Sequence, residues 1–344
     1  MNKRLMLLTL IGLLLVGAFG LLPVTAQEAT ETPEAPADGV FPVTIEHQFG
    51  STTITEAPKR VVAIGYTEQD LLLAVGVTPV AARYWYGDET NVIFPWAQDK
   101  VEGDNPVVLN MPFGNLNYEA ILALKPDLIS AVTAGITQEE YDILSQIAPT
   151  IAQSGDYINF GMPWQEATQL VGDAVGKSAT AAQVVADAES LFADARAANP
   201  QFEGKTVAVS YFYDGKYGFY TAQDSRGRFF ADLGFVVPQE LIDIAGASFY
   251  ADISAEQITL LDRDLIAIVN MQFIEGGWDK LKAEPLFSQL KATQDKRVVY
   301  FDTDTENAIG FSSPLSLPYA LKVALPQLES IFPAEVTPEA TEAA

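Results

Sequence analysis

Residues 117–132, NYEAILALKPDLISAV, and residues 254–269, SAEQITLLDRDLIAIV, are two copies of one pattern placed half a chain apart. Each copy starts with a helix-capping residue, Asn117 or Ser254, and continues as a short helix, a turn and a buried strand. The same αβ unit occurring twice favours a protein built from two similar lobes. The identical pairs are Glu119/Glu256, Ile121/Ile258, Leu124/Leu261, Asp127/Asp264, Leu128/Leu265, Ile129/Ile266 and Val132/Val269.

The chain around these copies alternates short apolar runs with longer amphipathic stretches. The apolar runs are typical of parallel strands that are buried on both faces, and the amphipathic stretches are typical of helices. This alternation predicts an α/β fold with mainly parallel central sheets. The strands are predicted at residues 61–64, 79–82, 107–109, 128–131, 206–211, 265–269 and 298–301.

The middle of the chain, residues 164–199, is almost wholly helical in character and includes an Ala-rich run at residues 179–198. A helix of about 20 residues is about 30 Å long, which is roughly the width of a small domain. We therefore predict an N-terminal lobe at residues 41–163 and a C-terminal lobe at residues 200–332. A single long rigid helix in the connector joins them, and the ligand cleft lies between the lobes.

The two ends of the chain differ from its middle. Lys3 and Arg4 precede an apolar run at residues 6–22, which predicts a secretory signal peptide over residues 1–26. An uncleaved N-terminal anchor is the alternative. Residues 27–40 and 333–344 are rich in Glu, Thr, Pro and Ala and are predicted to be a disordered linker and tail. We expect export to the periplasm or cell envelope, without a lipid-anchoring Cys because the chain contains no cysteine.

Composition excludes several functions. The 344 residues include 45 Asp and Glu against 20 Lys and Arg, a net charge of −25, so nucleic acid would be repelled. With no cysteine and one histidine, His47, we predict no intrinsic metal site. Residues 172–178, GDAVGKS, resemble a phosphate loop, but the segment is one residue too short and falls between helices. We predict that the chain is not an enzyme.

Aromatic residues and a few arginines follow the predicted strands. Ligands of open α/β sheets bind at the carboxyl ends of the strands, so these loops are the expected site. Aromatic rings and guanidinium groups suit a bulky, flat or anionic ligand through stacking, cation–π contact and bidentate hydrogen bonds. The predicted ligand-binding residues are Tyr66, Arg83, Tyr84, Trp85, Asn115, Tyr213, Tyr217, Arg226, Arg228, Gln272, Trp278 and Phe311.

Several blocks of the sequence together resemble one known family across residues 41–332. The blocks are HQFGSTTI at 47–54, APKRVVA at 57–63, DLLLAVGVTPV at 70–80, ILALKPDLI at 121–129, LSQIAPT at 144–150 and SPLSLPYAL at 313–321. The chain resembles the ABC-transporter substrate-binding proteins of the helical-backbone class, which bind ferric siderophores and have haem and cobalamin binders as relatives.

This resemblance implies a function and two partners. The chain would capture a ferric siderophore and deliver it, as a monomer, to the membrane permease of an ABC transporter. Fe(III) would enter as part of the siderophore, and no intrinsic cofactor is expected. Glu119 and Glu256 match the family positions that pair with permease arginines at the tip of each lobe. The arginines among the predicted contacts favour an anionic ferric chelate.

Two alternatives remain open at this point. The chain could bind haem or cobalamin, or it could be a sensor module that presents a ligand to a receptor and has no need of Glu119 and Glu256. Haem would be expected to need an iron ligand from the protein. The candidates are Tyr66, Tyr84, Tyr213 and Tyr217.

Overall fold

The computed structural model describes residues 37–213 and 215–334, which contain two central five-stranded β-sheets. The predicted signal peptide, most of the predicted linker and nearly all of the predicted tail lie outside the described residues. Of Gln272 only the backbone is described. Two α/β lobes with parallel central strands, connected by helices, confirm the predicted fold class.

The first lobe begins with a hairpin of β1 (Val43–His47) and β2 (Gly50–Ile54). Its central sheet is parallel throughout, in the order β5-β4-β3-β6-β7. The strands are β3 (Val61–Ala63), β4 (Ala81–Arg83), β5 (Val107–Leu109), β6 (Leu128–Ala131) and β7 (Thr150–Ala152). The helices are α1 (Glu68–Ala74), α2 (Tyr118–Ala123) and α3 (Gln138–Leu144), with a 3-10 turn at Gln98–Lys100.

The connector consists of α4 (Trp164–Ala174) and α5 (Ser178–Ala198). Helix α5 has 21 residues and is the long helix that the sequence predicts. The two helices approach closely, because a Cβ atom on Gly172 would lie 2.3 Å from that of Ala181. The segment that resembles a phosphate loop is therefore the turn between two packed helices.

The second lobe has a sheet in the order β10-β9-β8-β11-β12. Its strands are β8 (Val207–Tyr213), β9 (Lys216–Tyr220), β10 (Tyr250–Ile253), β11 (Leu265–Ile268) and β12 (Val298–Tyr300). Its α-helices are α6 (Ser225–Asp232), α7 (Gln239–Ala245), α8 (Gly277–Leu281), α9 (Lys291–Gln294), α10 (Thr303–Phe311) and α11 (Ser316–Ile331). Short 3-10 helices lie at Pro200–Phe202, Ala255–Leu261, Met271–Phe273 and Phe287–Gln289.

The connector contacts both lobes. Helix α4 packs on α1 of the first lobe, and α5 packs on α4 and on α6 and α11 of the second lobe. Asp38, near the end of the predicted linker, also reaches this region, since its carboxylate accepts hydrogen bonds from Thr180 N at 3.1 Å and Thr180 Oγ1 at 2.6 Å. These contacts hold the chain at Asp38 against the start of α5.

The two sheets have the same strand order, but the directions of the strands differ on one side of the sheet. In each lobe the central strand, β3 or β8, pairs with the strand that follows it and with the strand from the repeated unit. In the second lobe β9 is antiparallel to both β8 and β10, and the pairing of β8 with β9 extends to Tyr213 and Lys216. Gly215 has φ of +74°, the conformation that favours glycine in tight turns. The sequence analysis treated this β8–β9 hairpin as a strand-end loop.

The repeated aspartates, Asp127 and Asp264, make equivalent hydrogen bonds in the two lobes. Asp127 accepts hydrogen bonds from the backbone N–H groups of Lys59 and Arg60, both at 2.8 Å, immediately before β3. Asp264 accepts from Thr206 N at 2.9 Å and Thr206 Oγ1 at 2.7 Å, immediately before β8. Each carboxylate thus holds the first residues of the central strand, β3 or β8, beside the strand that follows the aspartate, β6 or β11.

The described helices include none that is both long and apolar enough to cross a membrane.

We expect Asp264→Ala to lower the free energy of unfolding by about 1–3 kcal/mol at pH 7, because it leaves half-buried donors without an acceptor. The pKa of Asp264 is lowered, since hydrogen bonds from Thr206 outweigh the effect of burial. A lowered carboxyl pKa stabilises the fold above the unfolded pKa of about 4 and is lost as pH falls through the folded value. The destabilisation caused by Asp264→Ala should therefore be smaller below about pH 4. Urea unfolding followed by circular dichroism measures it.

Asp194→Ala, on the exposed face of α5, is the matched control and should leave the unfolding midpoint unchanged. Equal effects of the two substitutions at pH 7 would contradict the role given to Asp264.

Candidate ligand-binding site

A cavity of about 420 Å³ lies between the two lobes, at the carboxyl ends of the first-lobe strands. Each strand of that sheet is followed within a few residues by a side chain that lines the cavity. These side chains are Tyr66 after β3, Trp85 after β4, Phe113 after β5, Thr133 after β6 and Gln153 after β7. The placement follows the general rule for ligand sites in open α/β sheets.

The opposite wall comes from the second lobe. Tyr220 at the end of β9 and Phe249 just before β10 supply rings, and the start of α6 supplies charged side chains. Phe311, the last residue of α10, closes one end, and Trp164 of the connector lies on the floor. The cavity is thus mainly aromatic, with its charged groups on one helix.

Five of the twelve predicted ligand-binding residues line this cavity: Tyr66, Trp85, Arg226, Arg228 and Phe311. Six others lie elsewhere: Arg83, Tyr84, Asn115, Tyr213, Tyr217 and Trp278. The remaining residue, Gln272, belongs to a 3-10 helix at Met271–Phe273.

Arg83 lies behind the cavity wall instead of in it. Its side chain is 1% exposed, and its guanidinium donates to the backbone oxygens of Met111 at 2.6 Å, Pro112 at 2.7 Å and Ile64 at 3.3 Å. The guanidinium also lies 4.5 Å from the centre of the Tyr66 ring. Because its hydrogen-bond donors are used on these carbonyls, Arg83 holds the loops after β3 and β5 and supports Tyr66 from behind.

The other predicted ligand-binding residues that lie outside the cavity do so for different reasons. Tyr217 faces the core with 5% exposure, and Tyr213, at 61%, lies at the far end of the β8–β9 hairpin. Trp278 stacks on Tyr300 at 4.8 Å, well away from the cavity lining. Tyr84 donates its hydroxyl to Gly87 O. Asn115 is exposed in the loop before α2.

The sequence analysis missed most of the second-lobe wall and part of the first. Tyr220 and Phe249 were missed because the hairpin and β10 were not predicted, although Asp214-Gly215 is a strong hairpin signal. Gln153 was missed because the strand at Thr150–Ala152 was not predicted. Phe113 belongs to the loop after β5, from which the sequence predicted Asn115 instead. Asp224 could have been recognised as a helix-capping residue two positions before Arg226.

Asp224 and Arg226 form an ion pair within the cavity lining. Arg226 donates from Nη1 to both carboxylate oxygens of Asp224, at 2.9 and 3.0 Å, and its guanidinium lies 4.6 Å from the centre of the Tyr220 ring. Both side chains are largely buried, with exposures of 17% and 10%. Burial acts to lower the pKa of Arg226, but Asp224 and Tyr220 more than offset it and raise the pKa.

Arg228 carries the other guanidinium of the cavity and has no carboxylate within ion-pair distance among the described residues. Its Nη1 donates to Gly161 O at 3.1 Å, while its buried Nε has no hydrogen-bond partner there. Burial lowers its pKa from the usual arginine value, which still leaves the group charged at neutral pH. Arg228 is therefore the cavity cation without an ion-pair partner among the described residues.

An aromatic cluster joins the lobes beside the cavity. The Phe311 ring lies 4.7 to 5.7 Å from the rings of Trp85, Tyr86, Phe94 and Trp96 of the first lobe. Tyr86 also donates its hydroxyl to Asn307 O, across the same boundary, at 3.1 Å. Such ring pairs contribute beyond the burial of their area. Phe311 thus serves both as a cavity wall and as a contact between lobes.

A buried carboxyl group lies beneath this cluster. Asp70 of α1 accepts hydrogen bonds from Trp96 Nε1 at 2.6 Å and from Ser313 Oγ of the second lobe at 2.7 Å, both through Oδ2. Its other oxygen is buried and has no hydrogen-bond partner in the part of the chain that the structure describes. Burial raises the pKa of Asp70 to about 6 despite these two hydrogen bonds. The interface between the lobes therefore contains a group that titrates near neutral pH.

His47 lies outside the cavity and has a structural setting. It is buried in the β1–β2 hairpin, where Nε2 is 2.9 Å from Thr52 Oγ1 and the ring packs on Tyr141 at 5.0 Å. Within residues 37–213 and 215–334, no three carboxylate or imidazole side chains are grouped closely enough to hold a metal ion.

Two lobes, a helical connector and a cavity at the strand ends define a solute-binding protein. The sequence profile of the family described as "Periplasmic binding protein" matches residues 61–305, so the chain belongs to that family. Membership makes it a binding protein that works outside the cytoplasmic membrane.

Individual relatives agree with this assignment. A probable siderophore-binding lipoprotein of Bacillus subtilis is 32% identical over 65% of this chain and 67% of its own. The structure of a periplasmic solute-binding protein from Mycobacterium smegmatis superposes with a TM-score of 0.75 and 35% identity, covering 84% of this chain and 98% of that one. PiaA of Streptococcus pneumoniae, in complex with ferrichrome, gives 0.73 and 26% over 84% and 98%.

We expect Asp70→Asn to stabilise the protein at pH 7.5 by about 1–3 kcal/mol and to give little gain at pH 4.5. A raised carboxyl pKa means that the folded state holds its proton more tightly than the unfolded state. The free energy of unfolding of the wild type therefore falls as pH rises from about 4 to 6. The amide side chain of the Asp70→Asn variant does not titrate, so this fall does not occur, and its oxygen still accepts from Trp96 and Ser313. Thermal unfolding across this pH range measures the difference.

Asp194→Asn on the α5 surface is the control and should show no pH-dependent gain. A gain from Asp70→Asn that is constant from pH 4.5 to 7.5 would contradict a raised pKa at this site.

Proposed function

We propose that this protein is the substrate-binding component of an ABC transporter, and that it captures a ferric siderophore and delivers it to the membrane permease. The observation that carries the proposal is the aromatic cavity between the lobes, into which Arg228 brings a guanidinium without a carboxylate partner among the described residues. Rings can cover the apolar flanks of a metal chelate while the guanidinium binds an oxygen of its coordination shell.

The size of the cavity supports a compact ligand. Its volume of about 420 Å³ falls within the range of small-molecule sites. Among the relatives, one is named as a probable siderophore-binding protein and another holds ferrichrome. A siderophore brings its own donor atoms for iron, so the absence of a grouped set of carboxylates in the described residues is compatible with this cargo.

The haem alternative has weaker support in the cavity. Of the four tyrosines named as iron-ligand candidates, only Tyr66 lines the cavity. Burial raises the pKa of Tyr66, and the nearby Arg83 offsets that only in part. A raised pKa disfavours the tyrosinate form that would bind ferric haem. The geometry therefore favours a chelate that arrives with its iron already enclosed.

The proposed route places the mature protein in the periplasm or cell envelope. The predicted signal peptide at residues 1–26 supports export, and the predicted linker would separate the lobes from the membrane during or after transfer. We expect the protein to act as a monomer, since one chain contributes both walls of the cavity.

Glu119 and Glu256 are the proposed contacts with the permease. Both side chains are exposed, in the first turns of α2 and of the 3-10 helix at Ala255–Leu261, and neither makes an ion pair within the described residues. Their equivalent positions in the repeated unit give one acidic group per lobe. Exposed acidic groups of this kind orient a charged partner and speed encounter more than they set affinity.

We expect a ferric siderophore to quench tryptophan emission because Trp85 and Trp164 line the cavity. Titration of the purified protein with ferrichrome and other ferric chelates should give saturable quenching, and the iron-free ligands should give much less. Trp85→Phe should remove a large part of the signal while keeping most of the affinity. Haem and cobalamin are tested in the same titration.

Trp278→Phe is the matched control, because Trp278 stacks on Tyr300 outside the cavity and its loss should leave the ligand-induced change intact. If no ferric chelate gives saturable quenching and haem or cobalamin does, the proposed ligand class is wrong.

Reversing both docking charges, Glu119→Lys with Glu256→Lys, should abolish iron uptake in cells while leaving the dissociation constant for the ferric chelate unchanged. The two positions lie outside the cavity lining, so ligand binding has no reason to change. Uptake of radiolabelled iron and fluorescence titration measure the two properties separately.

The control reverses two exposed acids on the connector, Asp187→Lys with Asp194→Lys, which changes net charge by the same amount. Uptake that survives the Glu119 and Glu256 reversals would refute the docking role and would favour a sensor module. Equal loss in both double variants would indicate a general effect of charge.

A further inference from the structure

We infer that the cavity selects ferric chelates of low negative charge, and that Asp224 sets this selectivity by cancelling one of the two cavity arginines. The inference rests on the proposed function and narrows the anionic ligand class expected from the sequence. It concerns the charge of the ligand, which the aromatic walls do not determine.

The charged side chains in the cavity lining are Asp224, Arg226 and Arg228. Arg226 is held by Asp224 at 2.9 and 3.0 Å, so its charge is compensated inside the site. Arg228 forms no ion pair among the described residues, although Asp224 and Asp232 act on it at longer range and partly offset the lowering of its pKa by burial. Two guanidinium groups and one carboxylate give the lining one net positive charge.

Further titratable groups lie behind the walls. Behind the first-lobe wall, the Arg83 guanidinium donates to backbone carbonyls, and Glu68 accepts from Thr133 N at 2.7 Å and Thr133 Oγ1 at 2.5 Å. Burial raises the pKa of Glu68 and lowers that of Arg83. Behind the second-lobe wall, both carboxylate oxygens of Glu306 accept from Met271 N, at 3.0 and 3.2 Å. Any charge that Glu306 carries opposes an anionic ligand further.

Ferric chelates differ widely in charge at similar size. Three hydroxamate groups neutralise Fe(III) and give an uncharged complex, whereas three catecholate groups leave a trianion. Transferring a trianion into a largely buried site with one free cation leaves most of its charge without a partner, which is costly in a low-dielectric environment. A neutral chelate needs only hydrogen bonds from Arg228 and cover from the rings.

Substitution of Asp224 is a direct way to change the charge of the cavity lining. Its side chain also caps α6 by accepting a hydrogen bond from Arg226 N at 2.9 Å. Asn caps helices about as well as Asp, so Asp224→Asn keeps the cap while it removes the charge and one of the two acceptor oxygens of Arg226. The variant frees Arg226 and raises the charge of the lining by one.

The test compares wild-type protein with Asp224→Asn in binding ferrichrome, a neutral hydroxamate chelate, and ferric enterobactin, a trianionic catecholate chelate. We expect Asp224→Asn to raise the affinity for ferric enterobactin, relative to that for ferrichrome, by about tenfold or more. Arg228→Gln serves as the reverse variant and should weaken ferric enterobactin more than ferrichrome. Circular dichroism confirms that each variant is folded.

The outcomes separate the inference from the proposed function. If neither protein binds any ferric chelate, the proposed function fails and the inference fails with it. If ferric chelates bind but Asp224→Asn changes both affinities equally, or neither, the inference alone is overturned. If Asp224→Asn does not fold, the salt dependence of wild-type binding decides. Stronger salt weakening for ferric enterobactin than expected for one free cation would overturn the inference.

Discussion

The contact of Phe311 with four rings of the first lobe determines how the two halves of the binding site face each other. The connector sets the separation of the lobes, but the second-lobe wall is positioned where α10 ends against the first lobe. Asp70 and Ser313 extend this contact with a buried hydrogen bond. A large motion between the lobes would have to break this packed aromatic cluster, so the cluster restrains the opening of the cavity.

Much of the fold could be predicted because it depends on local patterns. The repeated unit places equivalent capping residues, aspartates and buried strands in both lobes, and apolar runs identified the central parallel strands. The hairpin of β8 and β9 was not predicted, since its outer strand, Lys216–Tyr220, lacks the continuous apolar character of a buried parallel strand. The dipeptide Asp214-Gly215 is a hairpin signal in the sequence, and a hairpin there moves Tyr213 and Tyr217 away from the strand-end loops.

The candidate site was predicted less fully than the fold, for a physical reason. The rule that ligands bind at strand ends identifies loops, but it does not say which side chain of a loop faces the cavity and which faces the protein. Arg83 illustrates the limit: a guanidinium beside aromatic residues suggested a ligand contact, whereas its donors are used on three backbone carbonyls. Asp224 was missed because ion pairing depends on side-chain geometry that the sequence does not show.

The two walls are built in different ways, and this gives them different freedom to change. In the first lobe, Tyr66, Trp85 and Phe113 stand on separate loops, and the rings of Tyr66 and Trp85 are 5.3 Å apart. In the second lobe, Asp224 both caps the helix through the backbone N–H of Arg226 and pairs with the Arg226 side chain. Descendants of this scaffold can therefore acquire new ligand shapes through several positions, whereas a change of ligand charge at Asp224 is limited to residues that can still cap the helix.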